Sequence, residues 1–301
     1  MKKYLYLFSV LIVIFNCKSD KKQEIIEPVE EIVSDTVIVE EIEEKPIIDT
    51  IIEVEKVIKK QKIVVSKPKE SFKNYLIESG LKISPIEHGT LVIEYKDNTI
   101  YIDPVGGKDA FSKYKAPNYI LITDIHGDHL NLETLNAVNT SNTIIIGPKS
   151  VKEKLPTSLQ KNFTTLFSGL SRSFSTSKMS LDVEGVAMYN IREEAKQYHP
   201  KGRGLGYILT INNKRIYISG DTEDTFEMRH LKNIDIAVVC MNLPYTMPVS
   251  SAASAVLEFK PKKVLPYHYR GTNGLSDVKK FKRLVNAKNS NIKVVQLNWY
   301  K

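Results

Sequence analysis

The sequence has few of the residues that staple a chain together or carry it through a bilayer. Only Cys17 and Cys240 are cysteines among 301 residues, which excludes a disulfide framework and a four-cysteine zinc site. The apolar run Tyr4–Phe15 is 12 residues long, short of the roughly 20 that span a membrane. Fourteen glycines and thirteen prolines exclude a collagen-like or Gly/Pro-rich disordered protein. Residues 18–70 hold no aromatic, no glycine and no leucine. Acidic charge falls short as well, with 35 Asp+Glu against 43 Lys+Arg and a net charge of +8. As an average, that raises nucleic acid or an anionic membrane as a partner; the distribution along the chain changes the reading.

What is present divides into three parts. Met1-Lys2-Lys3, the run Tyr4–Phe15 and then Asn16-Cys17 read as a secretory signal, with a positive start and a short apolar centre. The segment resembles a lipoprotein signal with Cys17 as the lipidated residue, although Asn16 stands where a small residue is usual. A cleaved signal with an incidental cysteine and an uncleaved anchor are the alternatives. With Cys17 acylated, Cys240 is the one thiol left, and no intramolecular disulfide can form. Residues 18–70 carry 14 acidic and 10 basic residues, with apolar positions that are all Ile or Val and with Pro28, Pro46 and Pro68 between them. Such a segment cannot bury enough to offset its ordering entropy, so it reads as a disordered charged tether. A flexible chain of that length reaches about 40 Å. Residues 71–301 carry 31 basic and 21 acidic residues, and with 42% hydrophobic and 9% aromatic residues overall this part can bury the core of one α/β domain.

Within the domain, strand and helix signals alternate. Leu91–Tyr95 and Thr99–Ile102 flank Lys96-Asp97-Asn98 as a hairpin. Tyr119–Thr123 and Thr143–Ile146 are short buried strands. Tyr207–Ile211 and Arg215–Ser219 flank Asn212-Asn213-Lys214 as a second hairpin. Ile236–Cys240 and Lys263–Pro266 are strands. A helix capped by Ser250 or Ser251 runs to Phe259, another covers Ser276–Val285, and Ile292–Leu297 is the last strand. Two groups of strands, each followed by helices, suggest two sheets with helices outside.

The densest chemistry is Thr123-Asp124-Ile125-His126-Gly127-Asp128-His129, which leaves the strand Tyr119–Thr123. Four potential metal ligands within six residues, on a loop carried by a rigid strand, offer the oxygen and nitrogen donors that zinc, iron and manganese accept. Three further candidates also stand beside strands: His199 in a Gly-rich loop, Asp221 in Ser219-Gly220-Asp221-Thr222, and His268 in Pro266-Tyr267-His268-Tyr269. A single His or Asp at a strand end is usually polar filler or a helix cap. Several together make that interpretation hard to sustain.

These motifs resemble the metallo-β-lactamase superfamily, whose pattern is His-x-His-x-Asp-His after a strand, a distant His, an Asp after a second strand and a final His. The resemblance covers essentially the whole domain and includes Glu87-His88-Gly89-Thr90, Asp103-Pro104 and Ser219-Gly220-Asp221-Thr222. The nearest branch is the compact one that includes the ascorbate-6-phosphate lactonases. The resemblance implies a four-layer αβ/βα sandwich. It also implies two divalent ions, Zn2+ first, with Mn2+ or Fe2+ as alternatives. Asp124, His126 and His199 would hold one ion and Asp128, His129 and His268 the other, with Asp221 bridging. Asp124 departs from the family pattern, which has a histidine there. The added carboxylate is expected to weaken Lewis acidity at that position and to favour harder ions; without ligation by Asp124, the centre would be effectively mononuclear.

The implied chemistry is hydrolysis of an ester, lactone or phosphodiester by a metal-bound hydroxide. Asp128 would ligate and orient the nucleophile, and His268 and Tyr269 or Tyr267 would lie near the leaving group. Lys201 and Arg203, close to His199, would bind an anionic group of a small-molecule substrate, or stand as solvated loop charges. His88 is either a partner of a ligand or plain packing. The whole chain is then expected to be exported and membrane-anchored through lipid, with the domain outside the cytoplasm. A metal-binding lipoprotein with a degenerate site and a nuclease of the same fold are the other readings. No aromatic-basic interleaving supports nucleic acid as a partner.

Overall fold

The structure, a computed structural model, describes residues 72–300. The expected signal, Cys17 and the tether 18–70 lie outside the described residues. Two seven-stranded sheets form one after the other along the chain. The first contains β1 (Leu76–Glu78), β2 (Leu81–Glu87), β3 (Thr90–Tyr95), β4 (Asn98–Ile102), β5 (Tyr119–Leu121), β6 (Ile144–Gly147) and β7 (Phe163–Thr165), in that spatial order. Its first four strands are antiparallel, and β4 to β7 are parallel. The second sheet repeats the plan. β8 (Ser171–Ser175), β9 (Ser180–Met188), β10 (Gly204–Ile211) and β11 (Lys214–Ile218) are antiparallel. β12 (Ile236–Cys240), β13 (Lys263–Tyr267) and the terminal pair Lys293–Val294 then continue it in parallel.

The layers follow from strands whose two faces are both apolar, as expected where a sheet is covered on each side. In β4, Ile100 and Ile102 belong to the main core, whereas Tyr101 points to the other face. In β5, Tyr119 and Leu121 face the main core and Ile120 faces away. The main core joins these residues to Tyr207, Leu209 and Ile216 of the second sheet. On the outer face of the first sheet, Val92, Tyr101, Ile120 and Ile145 pack with Leu135 and Val138 of the helix Leu132–Val138 and with Val151 of Lys149–Lys154. The second sheet carries the helices Val249–Phe259 and Val278–Lys288, which bury Ala252, Val256, Phe259, Phe281 and Val285. Phe259 meets Tyr217 of β11 edge to face at 6.1 Å. The result is the αβ/βα sandwich, each fully buried Ile or Leu adding about 1.5–3 kcal/mol.

Local expectations shift by a few residues, each for a physical reason. The first hairpin turns on Lys96-Asp97, and Asn98 already pairs with Tyr95 in β4. In the second hairpin Asn212 and Asn213 both hold positive φ, 48° and 59°, the backbone that a two-residue turn with right-handed strand twist demands. The helix expected to start at Ser250 or Ser251 instead begins at Val249 with Pro248 at its cap and no side-chain cap bond. The helix expected from Ser276 starts at Val278, where the Asp277 carboxylate accepts from Lys280 N at 2.8 Å. The last strand is only Lys293–Val294.

Candidate metal centre

The chemistry-bearing residues follow the strand ends along one rim of the sandwich. The parallel strands β4, β5, β11 and β13 deliver Asp103, the Asp124–His129 loop, Asp221 and His268 at their C-terminal ends, where open α/β sheets expose ligand sites. His129 N and Leu130 N both donate to His126 O, at 3.0 and 2.7 Å. This tight turn lets His126, Asp128 and His129 converge from one short loop. Gly220 precedes Asp221 at φ +61°, and a Cβ there would lie 2.3 Å from Met188 Sδ, so only glycine fits. At Gly89 a Cβ would lie 2.8 Å from His268 Cδ2 and 3.4 Å from His129 Cε1.

The seven expected ligands come together in two groups. Asp128, His129, Asp221 and His268 form one, and Asp124, His126 and His199 the other; within each, one ligand atom per residue lies within 4.8 Å of all the rest. In the first group His268 Nε2 stands 3.3 Å from Asp128 Oδ2 and 3.4 Å from Asp221 Oδ1, and His129 Nε2 stands 3.4 Å from Asp221 Oδ2. In the second, His126 Nδ1 is 3.1 Å and His199 Nε2 3.9 Å from Asp124 Oδ2. Asp221 Oδ2 also stands 3.3 Å from His199 Nε2, so its carboxylate lies between the groups.

These spacings match the ~3.4 Å edge of a tetrahedron with bonds of about 2.1 Å. The buried atoms His129 Nε2, His199 Nε2, His268 Nε2 and Asp221 Oδ1 have no hydrogen-bond partner. Four orphaned donors and acceptors facing one another would be costly in a protein interior, and a divalent cation is the group that would satisfy them. The residues therefore fit the metals expected of the sequence pattern.

Neighbouring groups set the donor atoms. Asp103, fully buried, places Oδ2 2.8 Å from His129 Nδ1 and accepts from Thr123 N and Oγ1 at 2.7 and 2.6 Å. His199 Nδ1 lies 3.1 Å from Tyr245 O and 3.2 Å from Asn190 Nδ2. With Nδ1 held in this way, Nε2 keeps its lone pair for a cation. His88 reaches Asp128 Oδ2 with Nε2 at 3.3 Å and Tyr300 Oη with Nδ1 at 2.8 Å. It is thus a partner of a candidate ligand. The electrostatics agree. Burial pushes the Asp128 carboxyl up, but the imidazoles of His268 and His88 outweigh it and hold it below the usual carboxylate range. Burial likewise opposes ionisation of Asp221, and His268 and His129 overcome it.

Asn190 and Arg270 are functional candidates missed in the sequence, and Asp103, named there only as part of the family resemblance, was given no role. Asp103 follows a buried parallel strand, the same signal that marked Asp221. Arg270 lines a cleft of about 380 Å³ above the cluster, together with His88, Asp128, Asp221, Tyr198 and Tyr245. The residues expected to bind substrate are differently placed. Lys201 is exposed and pairs with Glu227 at 3.1 Å while its ammonium sits over the Tyr189 ring. Arg203 grips Asp124 with two hydrogen bonds, at 2.9 and 2.7 Å. Tyr269 is buried and packs edge to face on Tyr300 at 4.8 Å. None of the three lines the cleft; each is engaged by another side chain.

Two layered sheets with a His/Asp cluster where their parallel strands end define a metal-centred hydrolase fold. The family model described as the beta-lactamase superfamily domain matches residues 82–268, and the chain belongs to that superfamily. Curated relatives that it matches are named as metal-dependent hydrolases. One from Desulforamulus reducens is 29% identical over 199 residues, covering 63% of this chain and 84% of the relative. The crystal structure of a candidate metal-dependent hydrolase from Parabacteroides distasonis is 36% identical, with a TM-score of 0.64, over 73% of this chain and 94% of that one. A metallo hydrolase from Ignicoccus hospitalis shares the fold at a TM-score of 0.58 and 21% identity, over 71% of this chain and 93% of that one. The chain is a metallo-β-lactamase-fold hydrolase.

Proposed function

We propose that this hydrolase cleaves a small anionic ester, lactone or phosphodiester with two divalent cations. Asp124, His126 and His199 would hold one, Asp128, His129 and His268 the other, and Asp221 would contact both. The observation that carries the reading is the set of orphaned buried atoms, His129 Nε2, His199 Nε2, His268 Nε2 and Asp221 Oδ1, beside an open cleft that His199 and Asp221 line. Mixed imidazole and carboxylate donors suit Zn2+ first, and Mn2+ or Fe2+ as well. Bound cations would supply Lewis acidity to a carbonyl or phosphoryl oxygen and make water a nucleophile at neutral pH.

The side chains around them divide the remaining work. Asp128 is partly exposed in the cleft and kept ionised by His268 and His88, so it can accept a hydrogen bond from water and orient it. Arg270 lines the same cleft with its guanidinium 4.2 Å over the Tyr300 ring. Among the described residues no carboxylate pairs with it, which leaves its fork free for a substrate carboxylate or phosphate. This assigns to Arg270 the anion-binding role that the sequence had suggested for Lys201 and Arg203. Tyr198 and Tyr245, edge to face at 5.1 Å, supply an apolar wall.

The sequence before the domain supports export and anchoring through acylated Cys17, with the tether holding the domain clear of the membrane. Mass spectrometry of the N-terminal peptide tests this, since Cys17→Ser must abolish both acylation and membrane retention. The test of the reaction is metal content of the purified chain beside a panel of anionic esters, lactones and phosphodiesters. About two equivalents of divalent metal and turnover lost in Asp221→Ala support the reading. Full turnover by metal-free Asp221→Ala protein would sink it.

A further inference from the structure

Asp124 is the one position where the metal-binding pattern of the superfamily is broken, and the structure shows what accompanies the change. Its side chain is fully buried. Arg203, from the loop between His199 and β10, donates from Nε to Oδ1 at 2.9 Å and from Nη2 to Oδ2 at 2.7 Å, the planar two-point grip that suits a guanidinium to a carboxylate. The arginine is itself fixed. Its Nη2 also donates to Tyr198 O, and Ser150 Oγ donates to its backbone carbonyl at 2.6 Å. The oxygen that faces the other donors of the group is Oδ2, 3.1 Å from His126 Nδ1 and 3.9 Å from His199 Nε2.

The charge arithmetic is simple. A neutral histidine at this position adds no charge, and a lone aspartate adds one negative charge. An aspartate tied to an arginine on both oxygens again adds none. We propose that Asp124 and Arg203 act as one charge-neutral oxygen ligand, so that Arg203 is a positioning residue for the first metal subsite and not a substrate contact. On this proposal the added carboxylate would not weaken Lewis acidity as expected: a cation held there would meet a harder donor without a more negative surrounding. The proposal rests on reading the cluster as a two-cation centre, and it concerns binding, whatever the substrate proves to be.

Calorimetric titration of the metal-free full chain with Zn2+ and with Mn2+, alongside thermal melts without metal, tests it. In Arg203→Gln the carboxylate is left unpaired. The weaker-binding equivalent should then tighten about tenfold or more, as expected for removing a like charge beside a cation, while the metal-free protein melts earlier. Arg203→Lys keeps the charge but not the fork, so its affinity should stay near wild type. Asp124→His should lose one equivalent because Arg203 then stands unpaired, and Asp124→His with Arg203→Gln should regain it. A guanidinium that merely braces the loop would make Arg203→Gln bind more weakly, and that result overturns the proposal. So does wild-type protein that takes up one equivalent only, since the guanidinium would then occupy the subsite itself. Uptake of no cation at all by wild type would instead refute the two-metal reading on which the proposal stands.

Discussion

Oδ2 of Asp103 lies 2.8 Å from Nδ1 of His129, and neither side chain is reached by solvent. Both Asp103 oxygens are committed, since Thr123 N donates to Oδ1 and Thr123 Oγ1 to Oδ2. Asp103→Asn would set an amide N–H against one of these donors and release the His129 ring. Metal affinity is expected to fall about 10–100-fold, the usual effect of losing the partner of a ligating histidine. Titration of metal-free protein with Zn2+ measures it, and unchanged affinity would show that Asp103 does not orient the ring.

Arg270 should behave as a binding group. Arg270→Gln removes a charge-assisted contact and leaves the cation ligands in place. For anionic substrates KM should rise on the order of 10–100-fold, with little change in kcat. Neutral analogues should show no such rise. An equal penalty on both kinds of substrate would mean that Arg270 shapes the cleft and reads no charge.

The candidate cluster was legible in the sequence because most of its members sit where a predicted strand stops, and strand ends are easy to find from short apolar runs; His199 instead stood out in a Gly-rich loop ahead of a strand. The order of elements was legible too: strands fall into two groups, each followed by helices, which is why two sheets with outer helices follow from the pattern. The partners of the ligands were not legible. Asp103 and His129 are 26 residues apart, and Arg203 and Asp124 are 79 apart. No local periodicity relates them; only closure of the two sheets does. The partners of Lys201 and Arg203 were hidden for the same reason. Proximity to His199 in sequence suggested the cleft, but Glu227 and Asp124 capture both side chains. Strand β9, with Asp182 and Glu184 on its partly exposed face, lacked the apolar run that betrays a buried strand.

Gly89 offers a test of how closely the rings must pack. A Cβ built there falls 2.8 Å from His268 Cδ2, and His268 in turn stacks on His129 at 5.1 Å. Gly89→Ala must push the His268 ring away from Asp128 and Asp221. Displacement of a catalytic group by a fraction of an ångström to an ångström costs on the order of 10²-fold in rate. The expected outcome is that loss in kcat with circular dichroism unchanged. Full activity in Gly89→Ala would show that the ring has room to move.

Cys240 ends β12 beneath the centre, fully buried, with Sγ donating to Thr222 O at 3.4 Å. Burial, helped by the nearby Asp221 carboxylate, pushes its thiol from 9.0 up to about 12. The sign of the pH dependence follows. Below pH 9 the thiol is protonated in folded and unfolded chains alike, and its contribution to stability is fully present. Between 9 and 12 the unfolded chain releases the proton and the folded one does not, so stability declines as pH rises through that window. The slope due to this group approaches about 1.4 kcal/mol per pH unit. Tyr101 and Tyr269, raised from 10.0 to about 12 chiefly by burial, add slopes of the same sign above pH 10. Urea unfolding of wild type and Cys240→Ala from pH 8 to 11 separates them. The variant is expected to be less stable throughout, because of the space it opens, yet to lose stability less steeply between pH 9 and 10. Parallel curves would mean that the thiol ionises as readily in the folded chain as in the unfolded one.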